Sequence, residues 1–175
     1  MGPNYLGKFS DYINTENDVY KIIKCHLLVE SQLIQLYEYA LKYPNELGKS
    51  NFSTKLGLCA AIGLVRKDEV LPFKRFNILR NKIAHEIDKE ITEENIKYII
   101  EAYPPHFKAS YTVSKTVAPN TSLLDIMLST LTISLVARVE TTKTMKLEEM
   151  IEYVQTYEIT EEMVKNLIKE SEKRQ

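Results

Sequence analysis

The sequence has few of the residues that interrupt helices. Glycine occurs 5 times and proline 6 times in 175 residues. Because these two residues mark most turns and break helices, their scarcity argues against a turn-rich fold. Leu, Ile, Glu and Lys are abundant instead, in runs where apolar residues recur every three or four positions. This is the spacing of one helix face, so the sequence predicts an all-α protein.

Cysteine and excess positive charge are also lacking. Cys25 and Cys59 are the 2 cysteines, and both lie in apolar helical patterns without CxxC or zinc-ligand spacing. This excludes a disulfide framework and indicates buried, reduced thiols. The formal net charge is −1, so a broad basic surface for non-specific nucleic-acid binding is not predicted, although a local basic patch stays open.

Long hydrophobic runs are absent as well. The most apolar stretch, residues 122–139, is interrupted by Asp125 and by five Ser or Thr residues. It falls short of a membrane span and predicts a buried helix of a bundle. The first twelve residues lack the basic-then-apolar pattern of a signal peptide. We therefore expect a cytoplasmic protein with no membrane partner.

Apolar periodicity divides the chain into helices and one irregular segment. Helices are predicted over residues 16–42, 53–65, 68–88, 92–102, 121–144, 146–157 and 160–174. The second of them is expected to begin at a cap on Ser53 or Thr54. Residues 103–120 hold three prolines and show little periodicity, which predicts a long loop with a solvated His106. A two-strand element over residues 110–117 stays open, because β-branched residues are common there.

The predicted helix over residues 68–88 has two different faces on a helical wheel. A core stripe is formed by Phe76, Leu79, Ile83 and Ile87. A neighbouring arc is formed by Arg80, Asn81, Ala84 and His85. Ile78 lies beside His85, where a single bundle would expose it and a dimer would bury it.

The arc has the residue types that phosphodiester chemistry needs. Arg80 can bind a phosphate through two hydrogen bonds and stabilise its developing charge. His85 can act as general acid or base near neutral pH, and Asn81 can hold the imidazole or a phosphate oxygen. In RNA the 2′-OH supplies the nucleophile, so no metal is required. On spacing alone, an ordinary solvated helix face remains the other interpretation.

The stretch "LRNKIAHE", residues 79–86, resembles the RNxxAH form of the Arg-x4-6-His motif of HEPN domains (higher eukaryotes and prokaryotes nucleotide-binding). Two upstream stretches, "CHLLVESQLIQLY" and "FSTKLGLCAAIGLV", resemble the preceding helices of bacterial HEPN-like proteins and of the related mannitol operon repressor family. The resemblance covers roughly residues 16–100.

The resemblance implies a HEPN-like antiparallel bundle that forms a homodimer, with paired motifs facing each other across a cleft. It also implies a metal-independent RNA endonuclease of the toxin–antitoxin or antiphage-defence type, with an antitoxin or regulatory protein as a further partner. Carried over by position, Arg80 would bind the scissile phosphate and His85 would be the general acid/base. Asn81 would be the polar residue beside the arginine, and Glu30 a supporting residue that orients Arg80 or His85.

The resemblance also fixes the expected domain organisation. We expect one α-helical domain over residues 1–175. Its HEPN-like core would cover residues 16–100, followed by the loop at 103–120 and additional helices at 121–175.

Two alternatives stay open at this point. The same motif could be a structural network in a non-catalytic regulatory or protein-interaction module, as in mannitol-repressor-like transcriptional control. Lys74, Arg75 and Lys82 could guide an RNA backbone to the site, or they could be a solvated helix face. No cofactor and no metal site are expected, since His26 and Glu30 alone, four apart, are too few ligands.

Overall fold

The computed structural model describes residues 5–47, 49–86, 90–143, 145 and 147–156. Within these ranges the chain forms eight α-helices, two short 3₁₀ segments and no strand. In chain order the helices are α1 (Tyr5–Ile13), α2 (Asp18–Ala40), α3 (Phe52–Ala61), α4 (Val70–His85), α5 (Glu93–Glu101), α6 (Pro105–Val117), α7 (Leu123–Thr142) and α8 (Leu147–Thr156). The 3₁₀ segments are Pro44–Leu47 and Lys67–Glu69. The prediction of an all-α protein is confirmed.

Side-chain caps fix the start of four helices. At each one a side-chain oxygen accepts a hydrogen bond from a first-turn backbone N–H, which would otherwise lack a helical partner. The capping residues are Asn17 for α2, Asn51 for α3, Thr92 for α5 and Ser122 for α7. The predicted cap at Ser53 or Thr54 is wrong. Asn51 Oδ1 accepts from the Thr54 N–H at 2.9 Å, so α3 already begins at Phe52.

The long loop predicted over residues 103–120 is wrong, and so is the two-strand alternative within it. The structure has α6 there, from Pro105 to Val117. Pro105 occupies the first turn, where proline needs no hydrogen-bonded N–H and is already in a helical backbone conformation. Phe107 and Val113 are buried, and α6 packs against α7. Tertiary burial therefore stabilises a helix whose β-branched sequence favours strands.

Helices α2 and α7 lie at the centre of the bundle. They pack along each other, and α2 also contacts α1, α3 and α4, while α7 also contacts α1, α5 and α6. Buried residues occupy every side of α7, which explains why its sequence is apolar without a clear amphipathic period. The prediction of a buried helix over residues 122–139 is thus confirmed. Among the described residues, none of the helices has the length and apolar character needed to cross a membrane.

The core also contains an additional short helix and both cysteines. Helix α1, which periodicity did not predict, buries Phe9 in the same core. Cys25 and Cys59 are both free and buried, as predicted. The predicted helix over residues 160–174 and the core position Ile87 lie outside the described residues.

Candidate functional site

Helix α4 presents two faces, as the helical wheel predicted. Phe76, Leu79 and Ile83 are buried in the bundle. On the opposite side, Ile78 is 49% exposed, and the polar or small residues around it are open to solvent. These exposed neighbours are Lys74, Lys82, Ala84 and His85. The outer face of α4 is therefore a mixed apolar and cationic surface that ends at His85.

Arg80 lies at the boundary between the two faces. Its side chain is half-buried, and Nη1 donates a hydrogen bond of 3.0 Å to Asn81 Oδ1. Its Nε is buried and has no hydrogen-bond partner among the described residues. Asn81 thus orients one edge of the guanidinium, while Nε is shielded from solvent. Arg80 and Asn81, neighbours in the chain, are thus joined by a side-chain hydrogen bond.

His85 is the last residue of α4 and is exposed. It lies one turn beyond Asn81, on the same side of the helix. Acid/base chemistry at this position is open to a ligand arriving from solvent.

Glu30 does not pair with the motif in the described structure. Its Oε1 lies 2.6 Å from Lys55 Nζ on α3, and both side chains are half-buried. The ion pair joins α2 to α3. Glu30 therefore braces the helices beside the site, and among the described residues it makes no ion pair with Arg80 or His85.

The three cations proposed to contact RNA differ in their surroundings. Lys74 and Lys82 are exposed on the outer face of α4. Arg75 is half-buried and donates from Nη1 to the Tyr98 carbonyl of α5. Its guanidinium also stacks on the Tyr98 ring, with 3.8 Å between Cζ and the ring centroid. Lys74 and Lys82 are thus free to meet a ligand, whereas Arg75 fixes α5 against α4.

Sequence reasoning missed a polar contact beneath the motif. His26 of α2 is 2% exposed and lies between the rings of Phe52 and Phe76, with centroid distances of 4.5 and 5.5 Å. Its Nε2 lies 2.9 Å from Asn77 Oδ1. Burial lowers the pKa of His26 to about 4; the Asn77 hydrogen bond opposes this effect and the charge of Arg80 adds to it. A histidine on the apolar face of the predicted first helix was the only signal of this contact in the sequence.

A buried charge cluster, the Glu69 cluster, was also missed. Arg138 of α7 donates from Nη1 and Nη2 to the two carboxylate oxygens of Glu69, at 2.8 and 2.7 Å. His106 Nε2 lies 2.8 Å from Oε1, and the Arg66 backbone N–H donates to Oε2 at 3.0 Å. The prediction of a solvated His106 in a loop is therefore wrong. Glu69 is fully buried, so the cluster ties the start of α4 to α6 and α7 inside the protein.

Burial alone would raise the pKa of the Glu69 carboxyl. The charge of Arg138 and the hydrogen bonds from His106, Arg138 and Arg66 outweigh it and lower the pKa to about 2. The carboxylate is thus ionised at neutral pH, and it has a partner for each oxygen. This arrangement is that of a structural ion pair and leaves no lone pair directed at a ligand.

The described residues contain no group of three or more His, Cys, Asp or Glu side chains placed to hold a metal ion. Comparison with protein-family models, with curated proteins and with solved structures found no match to this chain.

Proposed function

We propose that this chain is a HEPN-like, metal-independent RNA endonuclease that acts as a cytoplasmic homodimer. The observation that carries the proposal is the arrangement on α4. Arg80 is held by Asn81 at 3.0 Å, and His85 lies exposed one turn beyond. A phosphate-binding group and a proton-transfer group thus lie five residues apart on one helix, both within reach of solvent.

The chemistry needs only these groups and the RNA itself. His85 or its partner in the second protomer takes the proton of the ribose 2′-OH, and the 2′ oxygen attacks the adjacent phosphorus. Arg80 stabilises the negative charge that develops on the phosphate oxygens. The bond to the 5′ oxygen breaks, and a protonated imidazole supplies the proton to that leaving group. The products are a 2′,3′-cyclic phosphate and a 5′-OH end.

A dimer supports this scheme because two histidines allow one base and one acid at the same time. Ile78 on α4 is 49% exposed and Leu27 on α2 is 47% exposed. Large apolar side chains of this kind gain stability when a second protomer covers them. A dimer through the outer face of α4, which carries Ile78, would bring two copies of the motif close together. Lys74 and Lys82, beside Ile78, would attract the RNA backbone into the space between them.

The proposed biological class rests on the family resemblance. RNxxAH proteins of this kind act in toxin–antitoxin pairs or in defence against phage, so an antitoxin or regulatory protein is the expected partner.

The test is RNA cleavage in EDTA by the purified protein. We expect cleavage by the wild type, and loss of about 10²–10⁴-fold in rate for His85→Gln, since this is the usual contribution of a general acid or base. Arg80→Gln should lose activity similarly. Lys115→Gln, an exposed cation on α6, is the matched control and should cut at the wild-type rate. A wild type without cleavage products, or variants as active as the control, would refute the proposal.

A second candidate function is a non-catalytic regulatory or interaction module. The half-burial of Arg80, with a buried Nε, favours it because a structural arginine has that environment. This candidate predicts that Arg80→Gln lowers the melting temperature by several degrees, whereas His85→Gln does not. It also predicts that neither the wild type nor His85→Gln cleaves RNA.

A further inference from the structure

Two buried nitrogen atoms near the motif, one a hydrogen-bond donor and one a possible acceptor, both lack a partner among the described residues. Arg80 Nε carries one hydrogen and can only donate, and His26 Nδ1 belongs to a ring that can donate or accept. Both are buried, and neither has a hydrogen-bond partner among the described residues. Leaving either one unsatisfied costs stability, because a buried polar group has lost its water.

The contact with Asn77 fixes which nitrogen of His26 holds the proton. Asn77 presents its Oδ1 to His26 Nε2 at 2.9 Å, and a carbonyl oxygen only accepts. Nε2 must therefore carry the hydrogen. The ring is neutral near pH 7, since burial keeps its pKa at about 4. A neutral imidazole has one N–H, so Nδ1 is left with a free lone pair and is an acceptor.

Arg80 lies on the side of α4 that faces this acceptor. Asn77 and Arg80 are three residues apart and neighbours on the helix surface, and Phe76, which contacts the His26 ring, lies one turn before Arg80. Arg80 is also close enough for its charge to act on His26. The donor and the acceptor thus belong to the same small region between α2 and α4.

We infer that His26 is a positioning residue for Arg80, accepting at Nδ1 a hydrogen bond from one water that in turn accepts the Arg80 Nε–H. The inference rests on the proposed function for its consequence in catalysis. With Nε held by His26 and Nη1 by Asn81, the guanidinium plane is fixed at two points. Three of its five N–H groups, one on Nη1 and both on Nη2, then remain for phosphate oxygens. This fixed orientation favours two parallel hydrogen bonds to one phosphate.

The first test needs no RNA. Nitrogen-15 NMR of the wild-type protein should show His26 protonated at Nε2 and unprotonated at Nδ1, together with an Arg80 Nε–H that exchanges slowly with solvent. In His26→Phe, which keeps an aromatic ring between Phe52 and Phe76, that exchange should speed up about tenfold or more, as expected for loss of a hydrogen bond to a charged group.

Tyr103→Phe is the matched control. It removes another buried hydrogen bond, from the Tyr103 hydroxyl to the Met127 carbonyl at 3.2 Å, and should leave the Arg80 exchange rate unchanged. Protonation of His26 at Nδ1 would overturn the inference, because Nδ1 could then not accept. An unchanged Arg80 exchange rate in His26→Phe would overturn it as well. The wild-type spectra test the inference even where His26→Phe does not fold, because an Arg80 Nε–H that exchanges as fast as a solvent-exposed one would also overturn it.

RNA cleavage gives the second readout. We expect His26→Phe to lower kcat/KM about tenfold while the pH dependence set by His85 stays in place, since positioning is lost and proton transfer is kept. A pH profile that changes along with the rate would instead show that His26 itself transfers protons, and would refute a positioning role. Absence of cleavage by the wild type would refute the proposed function and leave the NMR result for His26 and Arg80 unaffected.

Discussion

Replacement of Glu69 by glutamine tests how much the buried Glu69 cluster stabilises the fold. Glutamine has nearly the same shape, so packing is kept while the negative charge is removed. The Arg138 guanidinium then stays buried, but one of the two oxygens that accept its hydrogen bonds is replaced by an NH2 group, which donates. Breaking a buried ion pair by removing one partner costs about 3–5 kcal/mol.

The lowered pKa of Glu69 gives an independent magnitude. A drop from 4.5 to about 2, at about 1.4 kcal/mol for each pKa unit, corresponds to about 3 kcal/mol of stability. Since the folded pKa is below the unfolded one, this stability is fully present above about pH 4.5. It is lost as the pH falls towards 2, because the unfolded chain binds the proton more readily. The free energies of wild type and Glu69→Gln should therefore converge over this range.

Urea unfolding followed by circular dichroism provides the measurement, at pH 7 and at steps down to acid. Glu140→Gln is the matched control, because Glu140 is an exposed residue of α7 whose partner, Lys143, lies three positions away. Exposed pairs of this kind contribute less than about 1 kcal/mol. A loss at pH 7 no larger for Glu69→Gln than for Glu140→Gln, or a difference that does not shrink in acid, would refute the reasoning.

Two further substitution pairs probe the fold and the outer face of α4. Gly63→Ala should destabilise by about 1–2 kcal/mol, because Gly63 has φ +83° and a Cβ there would lie 3.1 Å from Ile151 Cγ2. Gly57→Ala, in an open part of α3, should stabilise the protein by about 0.5–1 kcal/mol. Thermal unfolding in which both variants shift the melting temperature in the same direction would contradict this. Ile78→Lys should raise the Kd of the proposed dimer at least about tenfold, and Val117→Lys, exposed on α6, should not. Sedimentation of the wild type as a monomer would argue against dimerisation through the outer face of α4. So would Ile78→Lys and Val117→Lys variants that raise the Kd of the dimer equally.

The helices that the sequence predicts are those with strong local signals. Helix α2 combines regular apolar spacing with a capping residue, and helix α7 combines a long, mostly apolar run with one. The structure has both helices within about two residues of the predicted bounds. Helix α6 was missed because two consecutive prolines suggested a loop, although the second of them is well suited to a first turn. Helix α1 is short and was missed although its sequence is amphipathic; it buries Phe9 in the core and packs against α2 and α7.

In the candidate site, too, local features could be predicted from the sequence and contacts between helices could not. Which side of α4 each residue occupies follows from helical spacing, so burial of Leu79 and exposure of His85 could both be predicted. Which side chains of different helices pair with each other could not be predicted, because this depends on how the helices cross. Glu30 pairs with Lys55 of α3 rather than with the motif, and His26 meets a residue 51 positions away.

The two candidate functions depend on different parts of the Arg80 side chain. Its Nε is buried without a hydrogen-bond partner among the described residues, and its Nη1 donates to Asn81 at the half-exposed motif. A purely structural arginine needs the first edge most, whereas a phosphate-binding arginine needs the second. Lysine keeps the positive charge but has neither Nε nor the planar fork. Arg80→Lys removes both Nε and the fork, whereas His26→Phe removes only the acceptor proposed for Nε and keeps the fork. We therefore expect His26→Phe to weaken the contact between the helices, and the additional loss in Arg80→Lys to measure the binding of a phosphate by the fork.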